Sequence, residues 1–475
     1  MATIVQKSQE QSILIQSSNF SSKHTSLSEE QLIQQRIKAA LQLEAFSTMG
    51  FDFIGLGTKD LNLGVEWFVK QGITHKLPLT VSNLSCVSKA SGLSSVESVK
   101  EKGSNKSSTE KSSAPFKRHH TLDVQGVKVG FLSFLSEHTT IEGCAVEPLS
   151  YLREKLPKDV KIWVVSSELS DSQRSDMLEL YPEIDFVIDS HRAPTLPVPK
   201  LLPEGSILLS PGSRGKKLGE IRFSSLNLGS GWFVKGQSEQ LKEDLERNKK
   251  RVERIDAKLE KVEDETSSDF RRLKRQKEHY SKEVEQTKKD LKDLEHKRKG
   301  VGLENRLIDL SGSISPHPQI EALVQSTKQS IEQLSSGNIP PYKGSYVGSK
   351  ACQGCHKKIY EQWSSDKHSY AWKSLEAVKR SQDLDCYACH STGAFDQEGP
   401  IHPAQISQSD IQLKGVGCEA CHGSGQQHIA QGGGDNIFSK PSIEGCYLCH
   451  DGARDEGRFE PSSYYLKVKD VCTGD

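Results

Sequence analysis

This sequence has no net charge, no long apolar run and none of the common nucleotide-binding motifs. Its 63 basic residues equal its 63 acidic residues, so a nucleic-acid role is not indicated. No apolar run approaches the roughly 18 to 20 residues that a membrane-spanning helix needs. A dinucleotide fingerprint, a P-loop and a nucleophile elbow are absent as well. The function must therefore be sought in other features.

Cysteine is scarce in most of the chain and concentrated near its end. The 475 residues, 34% of them apolar, are enough for two or three domains with globular cores. Only Cys86 and Cys144 lie in the first 340 residues, whereas nine of the eleven cysteines lie between Cys352 and Cys472. The last quarter of the chain therefore differs from the rest in its cysteine content, and its function is to be sought in these cysteines.

Eight of these cysteines form four CxxCH motifs. The motifs are Cys352-Gln-Gly-Cys355-His356, Cys386-Tyr-Ala-Cys389-His390, Cys418-Glu-Ala-Cys421-His422 and Cys446-Tyr-Leu-Cys449-His450. Two thiols at this spacing lie on one turn and can each add to a vinyl group of the same haem. The next residue then lies beneath the ring as the proximal iron ligand. The sequence predicts four covalently bound haems c.

Structural zinc is the main alternative, because two CxxC pairs can also form a tetrahedral thiolate site. A zinc site does not require histidine after each second cysteine. With 16 histidines in 475 residues, four such placements by chance have a probability on the order of 10⁻⁶. Thioredoxin-like motifs come singly and near a βαβ pattern, which is missing here. The pattern therefore favours haem.

The haem segment is too short for an ordinary core. About 130 residues leave roughly 30 for each haem, so we expect the porphyrins to form the core and to lie close enough to relay electrons. Further iron ligands would be His368, on a helix predicted over Lys357–Lys379, and His428, after the glycines that follow the third motif. His402, in a loop with proline and glycine, is the remaining candidate, with a surface role as its alternative.

A count of ligands leaves one axial position vacant. Four irons offer eight positions; the motif histidines fill four of them, and His368, His402 and His428 could fill three more. At least one haem is then open to a small ligand or capped from outside the segment. Candidates elsewhere in the chain are His119, His120, His138 and His317.

The segment from about residue 345 to 467 resembles the tetrahaem cytochromes that accept electrons from hydroxylamine oxidoreductase in nitrifying bacteria. The resemblance rests on Tyr346-Val-Gly-Ser-Lys-Ala-Cys352, Tyr360-Glu-Gln-Trp363, His368-Ser-Tyr-Ala371 and Gly417-Cys-Glu-Ala-Cys-His-Gly423. It implies electron transfer, with two histidine ligands on most haems and one haem that can remain open.

The first 235 residues alternate short apolar strands with amphipathic helices, which predicts an α/β layered fold. The predicted helices are Glu29–Met49 and Leu61–Gln71, and Ser95–Ser113 is predicted as a solvated loop. The predicted strands are Ser12–Ile15, Phe51–Leu56, Leu79–Leu84, Val127–Leu132, Ile162–Ser166, Phe186–Asp189, Ile207–Ser210 and Leu218–Phe223.

The order of these segments resembles the metallophosphoesterase domain of 5′-nucleotidases. The matching stretches are Gly57-Thr-Lys-Asp60-Leu-Asn-Leu-Gly64, Leu77-Pro-Leu-Thr-Val-Ser-Asn83, Ser167-Glu168-Leu169 and Asp189-Ser-His191-Arg-Ala193. Such enzymes hold two metal ions that activate a hydroxide for attack on phosphorus. Here Thr58, Lys59, Glu168 and Ala193 occupy ligand positions, and Ser17-Ser-Asn19-Phe20 stands where the first metal motif is expected. The resemblance therefore implies a retained fold without phosphoesterase activity.

A charged segment from Gln237 to Gly300 follows. Its apolar residues recur at spacings of three and four, and the pattern breaks at Glu263–Asp269, which predicts an antiparallel coiled-coil hairpin. The hairpin is either a solvated element of one chain or an arm that pairs with another subunit. A strand at Asn305–Leu310 and a helix at Gln319–Leu334 should connect it to the haem segment.

These observations predict a multidomain protein. The expected parts are an inactive metallophosphoesterase-like domain (1–235), a coiled-coil hairpin (237–300), a strand-helix connector (301–340) and a tetrahaem cytochrome c domain (341–475). The favoured function is electron transfer. One alternative is a reductase or oxidase of a small nitrogen or sulfur compound at an open haem, and another is a structural subunit of a conducting assembly.

Redox proteins are the expected partners, and the hairpin or the haem domain could also pair with a second copy. Because haem is attached to CxxCH outside the cytoplasm, we expect a periplasmic or extracellular location. The first 30 residues lack the basic and apolar regions of a signal peptide, so the leader was trimmed or the start was assigned too late.

Overall fold

The computed structural model describes most of the chain. The described residues are 12–22, 26–87, 112–152, 156–191, 195–213, 215–223, 231–262, 267–296, 301–334, 339–409, 411–434, 436–450, 459–460, 464–465 and 467–468. Within them, no helix is both long enough and apolar enough to cross a membrane.

Two compact units make up the chain. The front unit comprises Met1–Thr25 and Phe46–Ser315, and the haem-motif unit comprises Ser26–Ala45 and Pro316–Asp475. The first part of helix Glu29–Met49 thus belongs with the end of the chain, whereas the predicted front domain, residues 1–235, included all of this helix.

The front unit contains fifteen strands among its described residues. They are β1 Ile15–Gln16, β2 Phe53–Gly55, β3 Leu79–Thr80, β4 Leu84–Val87, β5 Ser112–Ser113, β6 His120–Val124, β7 Val127–Phe134, β8 Cys144–Val146, β9 Ile162–Ser167, β10 Ile184–Asp189, β11 Lys200–Leu201, β12 Ile207–Leu209, β13 Lys217–Phe223, β14 Trp232–Val234 and β15 Val301–Asp309.

The described residues form thirteen α-helices. They are α1 Glu29–Met49, α2 Thr58–Leu61, α3 Val65–His75, α4 Asp171–Leu180, α5 Gln237–Leu259, α6 Ser268–His296, α7 Pro318–Leu334, α8 Ser349–Cys352, α9 Lys357–Ser364, α10 Ala371–Ala377, α11 Pro403–Ser407, α12 Cys418–His422 and α13 Gln426–Ala430. Short 3-10 helices cover Leu149–Leu152, Tyr387–His390 and Ile443–Leu448.

A six-stranded sheet with the order β11-β12-β10-β9-β7-β6 forms the centre of the front unit. Strands β12, β10, β9 and β7 run parallel, and the edge strands β11 and β6 are antiparallel to their neighbours. A parallel three-stranded sheet, β1-β2-β3, packs nearby, with Phe53 stacked on Phe131 at 5.0 Å between ring centroids. The front unit is therefore the mixed α/β layered fold that the sequence predicted.

Apolar side chains cover both faces of the six-stranded sheet. One cluster of buried residues includes Leu132, Val165 and Val187 from the strands, with Met177 and Tyr181 packed over them. The other cluster includes Phe131, Val164 and Phe186. Parallel strands buried on both faces are continuous apolar runs, which explains why the sequence identified β7, β9 and β10.

Helices α5 and α6 lie against each other in an antiparallel pair. Lys277 Nζ lies 2.7 Å from Asp256 Oδ1, and the Arg251 guanidinium lies 5.1 Å from the centroid of the Tyr280 ring. Ile255, Leu273 and Val284 are buried. Of the break predicted at Glu263–Asp269, residues 263–266 lie outside the described residues, and the last two residues, from Ser268, already belong to α6. Supercoiling of the pair stays a prediction.

From residue 339 onward, the described part of the haem-motif unit consists of short helices and irregular segments, as predicted. The single helix expected over Lys357–Lys379 is wrong, because the chain forms α9 and α10 with a turn between them. The hydroxyls of Ser364 and Ser365 donate to the Glu361 carbonyl, which competes with helical bonding. His368 therefore lies in a turn and not on a helix.

Candidate functional site

Each CxxCH motif lies on or beside a short helical turn. The backbone N–H of His356 donates to the Cys352 carbonyl at 2.9 Å, and that of His450 donates to the Cys446 carbonyl at 2.9 Å. These bonds fold each histidine back over the first cysteine of its motif. None of the eight motif cysteines, all of which the structure describes, is disulfide-bonded, whereas Cys86 and Cys144 form a disulfide. The turns therefore present two thiols and an imidazole together, as covalent haem attachment requires.

Two predicted ligands each face a motif histidine. The ring centroids of His356 and His428 are 6.4 Å apart, and so are those of His368 and His450. Metal bonds to imidazole nitrogen are about 2 Å long, so two rings on opposite sides of one metal ion have centroids roughly 6 Å apart. The ring pairs therefore fit two irons that each have two histidine ligands.

The ring planes differ between the two pairs. The planes of His356 and His428 are 25° apart, whereas those of His368 and His450 are 80° apart. One pair is therefore close to parallel and the other close to perpendicular.

In several of these histidines, the ring nitrogen Nδ1 is hydrogen-bonded to a backbone carbonyl oxygen. The Nδ1 contacts are His390 with Ala371 O at 2.8 Å, His422 with Phe438 O at 2.6 Å and His428 with Gly434 O at 3.1 Å. The Nδ1 of His368 lies 3.0 Å from Asp366 Oδ1. Because these oxygens only accept, Nδ1 must carry a proton and Nε2 is left for a metal. Histidines that bind metals commonly have such a partner.

His402 has a different environment. It is buried, and its Nδ1 accepts a hydrogen bond from the backbone N–H of Ala404 at 3.1 Å, which caps helix α11. In a neutral ring the proton is then on Nε2, which lies 3.9 Å from Glu30 Oε2. Burial lowers the pKa of His402, and Glu30 opposes this effect. This arrangement favours a capping role, and iron binding by His402 stays a prediction.

The apolar surface of the haem-motif unit is also suited to a large planar group. One cluster of buried residues among the described part of this unit is small and comprises Tyr342, Tyr346, Trp372, Ile406 and Leu413. Many other apolar side chains in this unit are exposed, among them Phe395, Ile401, Ile429, Phe438 and Leu448. Porphyrins attached at the motifs would cover such side chains. The donor set and the exposed apolar surface both fit haem c.

The motifs are close to one another in two pairs. The thiol of Cys352 is hydrogen-bonded to that of Cys418, which raises the pKa of Cys352 and lowers that of Cys418. The Cys389 sulfur lies 4.0 Å from the Leu448 carbonyl oxygen, next to the fourth motif. The first motif thus neighbours the third, and the second neighbours the fourth.

Sequence reasoning missed a buried carboxylate inside the third motif. Glu419 is 1% exposed. Its Oε1 accepts from the backbone N–H groups of Val347 at 3.0 Å and Gly425 at 2.7 Å, and its Oε2 accepts from that of Gly348 at 2.7 Å. Ser349 Oγ accepts from the Cys418 N–H at 3.0 Å beside it. An acidic residue between two cysteines gives no periodic signal, so its burial was not predictable from the pattern.

A second buried carboxylate lies near the Cys386 motif. Lys38 Nζ, on helix α1, lies 2.5 Å from Asp383 Oδ1 and 2.8 Å from Asp385 Oδ2. Arg380 pairs with Asp383 as well, at 2.6 Å. Burial opposes ionisation of Asp383, but Lys38 and Arg380 outweigh it and hold the pKa of this carboxyl below its usual value. These ion pairs, with Gln34 bonded to the Gln382 carbonyl at 3.0 Å, join the first part of α1 to the haem-motif unit.

In the front unit, the residues expected at metal-ligand positions are bonded to one another. Glu168 Oε2 accepts from Asn19 Nδ2 at 2.8 Å and from the Thr58 N–H at 2.9 Å. Asn19 Oδ1 accepts from the Lys59 N–H at 2.9 Å. A Cβ atom on Gly57 would lie 2.4 Å from Asn19 Oδ1, so glycine is needed at this close approach.

Asp60 belongs to the same hydrogen-bond network. It is fully buried and accepts hydrogen bonds from Gly57 N, Asn19 N, Ser21 N and Ser21 Oγ. Burial raises the pKa of Asp60 to about 6, against the opposing effect of these hydrogen bonds.

No group of three or more His, Cys, Asp or Glu residues suited to a metal ion occurs in the described part of the chain. The His191 N–H donates to Asp189 Oδ1 at 2.8 Å, and Ala193 lies outside the described residues.

Comparison with known proteins supports the interpretation of the C-terminal segment. Residues 351–423 match the family model of cytochrome c554 and c-prime. Cytochrome c-554 of Nitrosomonas europaea is 34% identical over 108 residues, which are 20% of this chain and 44% of that protein. The C-type polyheme cytochrome OmcB of Geobacter sulfurreducens is 43% identical over 72 residues, which are 15% of this chain and 9% of that protein. The chain thus matches less than half of each relative, and the predicted resemblance to multihaem c-type cytochromes is confirmed for this segment.

Among solved structures, a 5′-nucleotidase precursor from Thermus thermophilus is similar at a TM-score of 0.42 and 11% identity. The match covers 79% of this chain and 60% of that one. It belongs to the class that the front sequence resembled, but a similarity this low carries no argument about activity.

Proposed function

We propose that this protein is an extracytoplasmic tetrahaem c-type cytochrome that transfers electrons through haems attached at the four CxxCH motifs. Two pairs of facing histidine rings at 6.4 Å carry this proposal, and each pair consists of a motif histidine and a second histidine from another part of the unit. Such six-coordinate irons are suited to electron transfer, because neither ligand has to leave when the iron changes its oxidation state.

Haem iron supplies the one-electron chemistry, and the residues of this chain hold and tune it. The eight motif cysteines would form the thioether bonds, and His356, His390, His422 and His450 would be the proximal ligands. His428 and His368 would be the second ligands of the first and fourth haems. The carbonyl contacts at Nδ1 keep His390, His422 and His428 in the tautomer that offers Nε2 to the metal.

The contacts between motifs support a relay. Because the first motif contacts the third and the second lies beside the fourth, haems attached there would be close within each pair. Short distances favour rapid electron exchange, so the four haems would act together and not as separate sites.

The disulfide of the front unit supports a periplasmic or extracellular location. Cys86 and Cys144 are directly opposite each other on β4 and β8 and are bonded to each other. Structural disulfides persist in oxidising compartments and are rare in the cytosol. Haem is attached to CxxCH motifs in the same compartments outside the cytoplasm.

Reduction or oxidation of a small nitrogen or sulfur compound is the second candidate function. In the described part of the chain, His390 and His422 have no identified partner ring of the kind that faces His356 and His450, and His402 is engaged in a helix cap. A haem at either motif could therefore bind a small molecule. Carbon monoxide added to the reduced protein distinguishes the candidates, because only an open haem binds it.

The front unit is proposed as a scaffold or docking surface without phosphoesterase activity. Its Glu168 carboxylate accepts hydrogen bonds from Asn19 and Thr58. Manganese-dependent nucleotidase turnover by the full chain, lost on His191→Ala, would contradict this assignment.

The proposal as a whole is tested by the mass and spectrum of the purified holoprotein. We expect a denatured mass that exceeds the polypeptide by four haem groups, and low-spin ferric signals in electron paramagnetic resonance. Bound zinc without any haem mass would overturn the proposal.

A further inference from the structure

Glu419 is a buried acid whose bonding partners in the described part of the chain are backbone N–H groups. Three of them, from Val347, Gly348 and Gly425, donate to its two oxygens at 2.7 to 3.0 Å. Hydrogen bonds to a charged acceptor are about twice as strong as neutral ones, so these donors stabilise a carboxylate at this position. Amide dipoles stabilise the charge locally but leave the net charge of the site unchanged.

The other buried acid of this unit provides a contrast. Asp383 is 2% exposed and pairs with the cations Lys38 and Arg380, which compensate its charge. The described residues provide no such cation for Glu419. A buried charge without a counter-ion acts on its surroundings through a poorly screening medium, so its field extends further than that of an ion pair.

Two motifs lie within reach of this field. Glu419 is the residue after Cys418, and it also accepts from Gly348, which caps the helix that ends at Cys352. Ser349, on the same helix, accepts from the Cys418 N–H. Glu419 therefore lies at the junction where the first motif meets the third.

We propose that Glu419 lowers the reduction potentials of the two haems attached at Cys352–Cys355 and Cys418–Cys421. This inference rests on the proposed haem attachment. On reduction, each ferric iron takes one electron from an external reductant and becomes ferrous, while no bond breaks and no proton is transferred. A fixed negative charge nearby disfavours the added electron, so the ferric form of both haems is stabilised. Glu419 acts as an electrostatic and positioning residue.

Potentiometric titration of Glu419→Gln in the full holoprotein tests this role. Loss of one unit charge at about 10 Å should favour reduction about tenfold at each of two haems, a rise of about 59 mV in a one-electron potential. The other two haems should shift much less. Glutamine cannot accept from all three donors, so some loss of stability is also expected.

Two further variants separate charge from structure. Glu419→Asp keeps the charge and should leave the two potentials low, even if the shorter side chain weakens the junction. Ser349→Ala removes the neighbouring hydrogen bond to Cys418 without a change in charge, so it should affect stability and not potential. An equal rise in Glu419→Gln and Ser349→Ala would overturn the proposal.

The mass of each variant separates this proposal from the previous one. A wild-type protein without four haems refutes the proposed function itself, whereas a normal haem content with unshifted potentials in Glu419→Gln refutes only the role of Glu419. If Glu419→Gln does not mature, Glu419→Asp decides: a rise of about 59 mV with the charge retained contradicts the proposal, and unchanged potentials support it.

Discussion

The front unit and the haem-motif unit differ in how their apolar side chains are buried. The front unit buries two large apolar clusters against the faces of one sheet. Among its described residues, the haem-motif unit has a small cluster of five buried residues and leaves aromatic and aliphatic side chains such as Phe438 and Leu448 exposed. Side chains alone can stabilise the first unit. The second needs a large bound group to complete its interior.

The largest expected effect is therefore loss of structure in the haem-motif unit when haem is not attached. In the full chain produced without haem attachment, residues 339–450 should lose nearly all protection against amide hydrogen exchange. Strands β7 and β9 should keep their protection, because their core contains no haem. Equal protection of both units in the haem-free chain would show that the comparison is wrong.

Removal of one second ligand should change one haem of four. His428→Ala should convert the first haem to a five-coordinate, high-spin form that binds carbon monoxide, and His368→Ala should do the same at the fourth. The orientation of axial imidazoles sets the g anisotropy of a low-spin ferric haem. His368→Ala should thus remove the more anisotropic signal, since its ring is 80° from that of His450.

His402→Ala is the matched control for these variants. Loss of a helix cap should reduce stability by about 1 kcal/mol without any change in spin state. A new high-spin haem in His402→Ala would identify this histidine as a ligand after all.

The disulfide should contribute to the front unit alone. It joins residues 58 positions apart, and constraint of a loop of this length in the unfolded chain is worth about 4 kcal/mol. Cys86→Ser with Cys144→Ser should lower the free energy of unfolding of the front unit by this amount in denaturant titration, with the haem spectrum unchanged. A loss below about 1 kcal/mol would mean that the constraint is unimportant.

A pH dependence from Asp60 should be smaller than the effect of the disulfide. Burial raises its folded pKa to about 6 from 3.8, so its contribution to stability is full below 3.8 and is lost as the pH rises through 6. A shift of this size corresponds to about 3 kcal/mol. The free energy of unfolding of the wild type relative to Asp60→Asn should therefore fall by about that amount between about pH 4 and about pH 7. A constant difference over this range would contradict the shift.

The fold of the front unit was more predictable than the details of the haem-motif unit. Continuous apolar runs identified β9 and β10 in the front unit. Helical spacing identified Glu29–Met49 with the ends that the structure has, although most of this helix belongs to the haem-motif unit. In the haem-motif unit, helical spacing failed at Lys357–Lys379 because serine hydroxyls compete for the helical carbonyls. The role of Glu419 could not be predicted either, since two of its three donors, Val347 and Gly348, are 72 and 71 residues away in sequence and only the fold brings them to it.

Helix α1 has a practical consequence for any attempt to divide this protein. A gene fragment that encodes residues 341–475 omits Lys38, so Asp383 would keep Arg380 as its ion-pair partner from this group and would lose the other. The haem-motif unit is therefore discontinuous in sequence, with a piece near the start of the chain and the remainder at its end. A truncation, domain exchange or gene duplication that cuts the chain at one point between the two pieces would separate them.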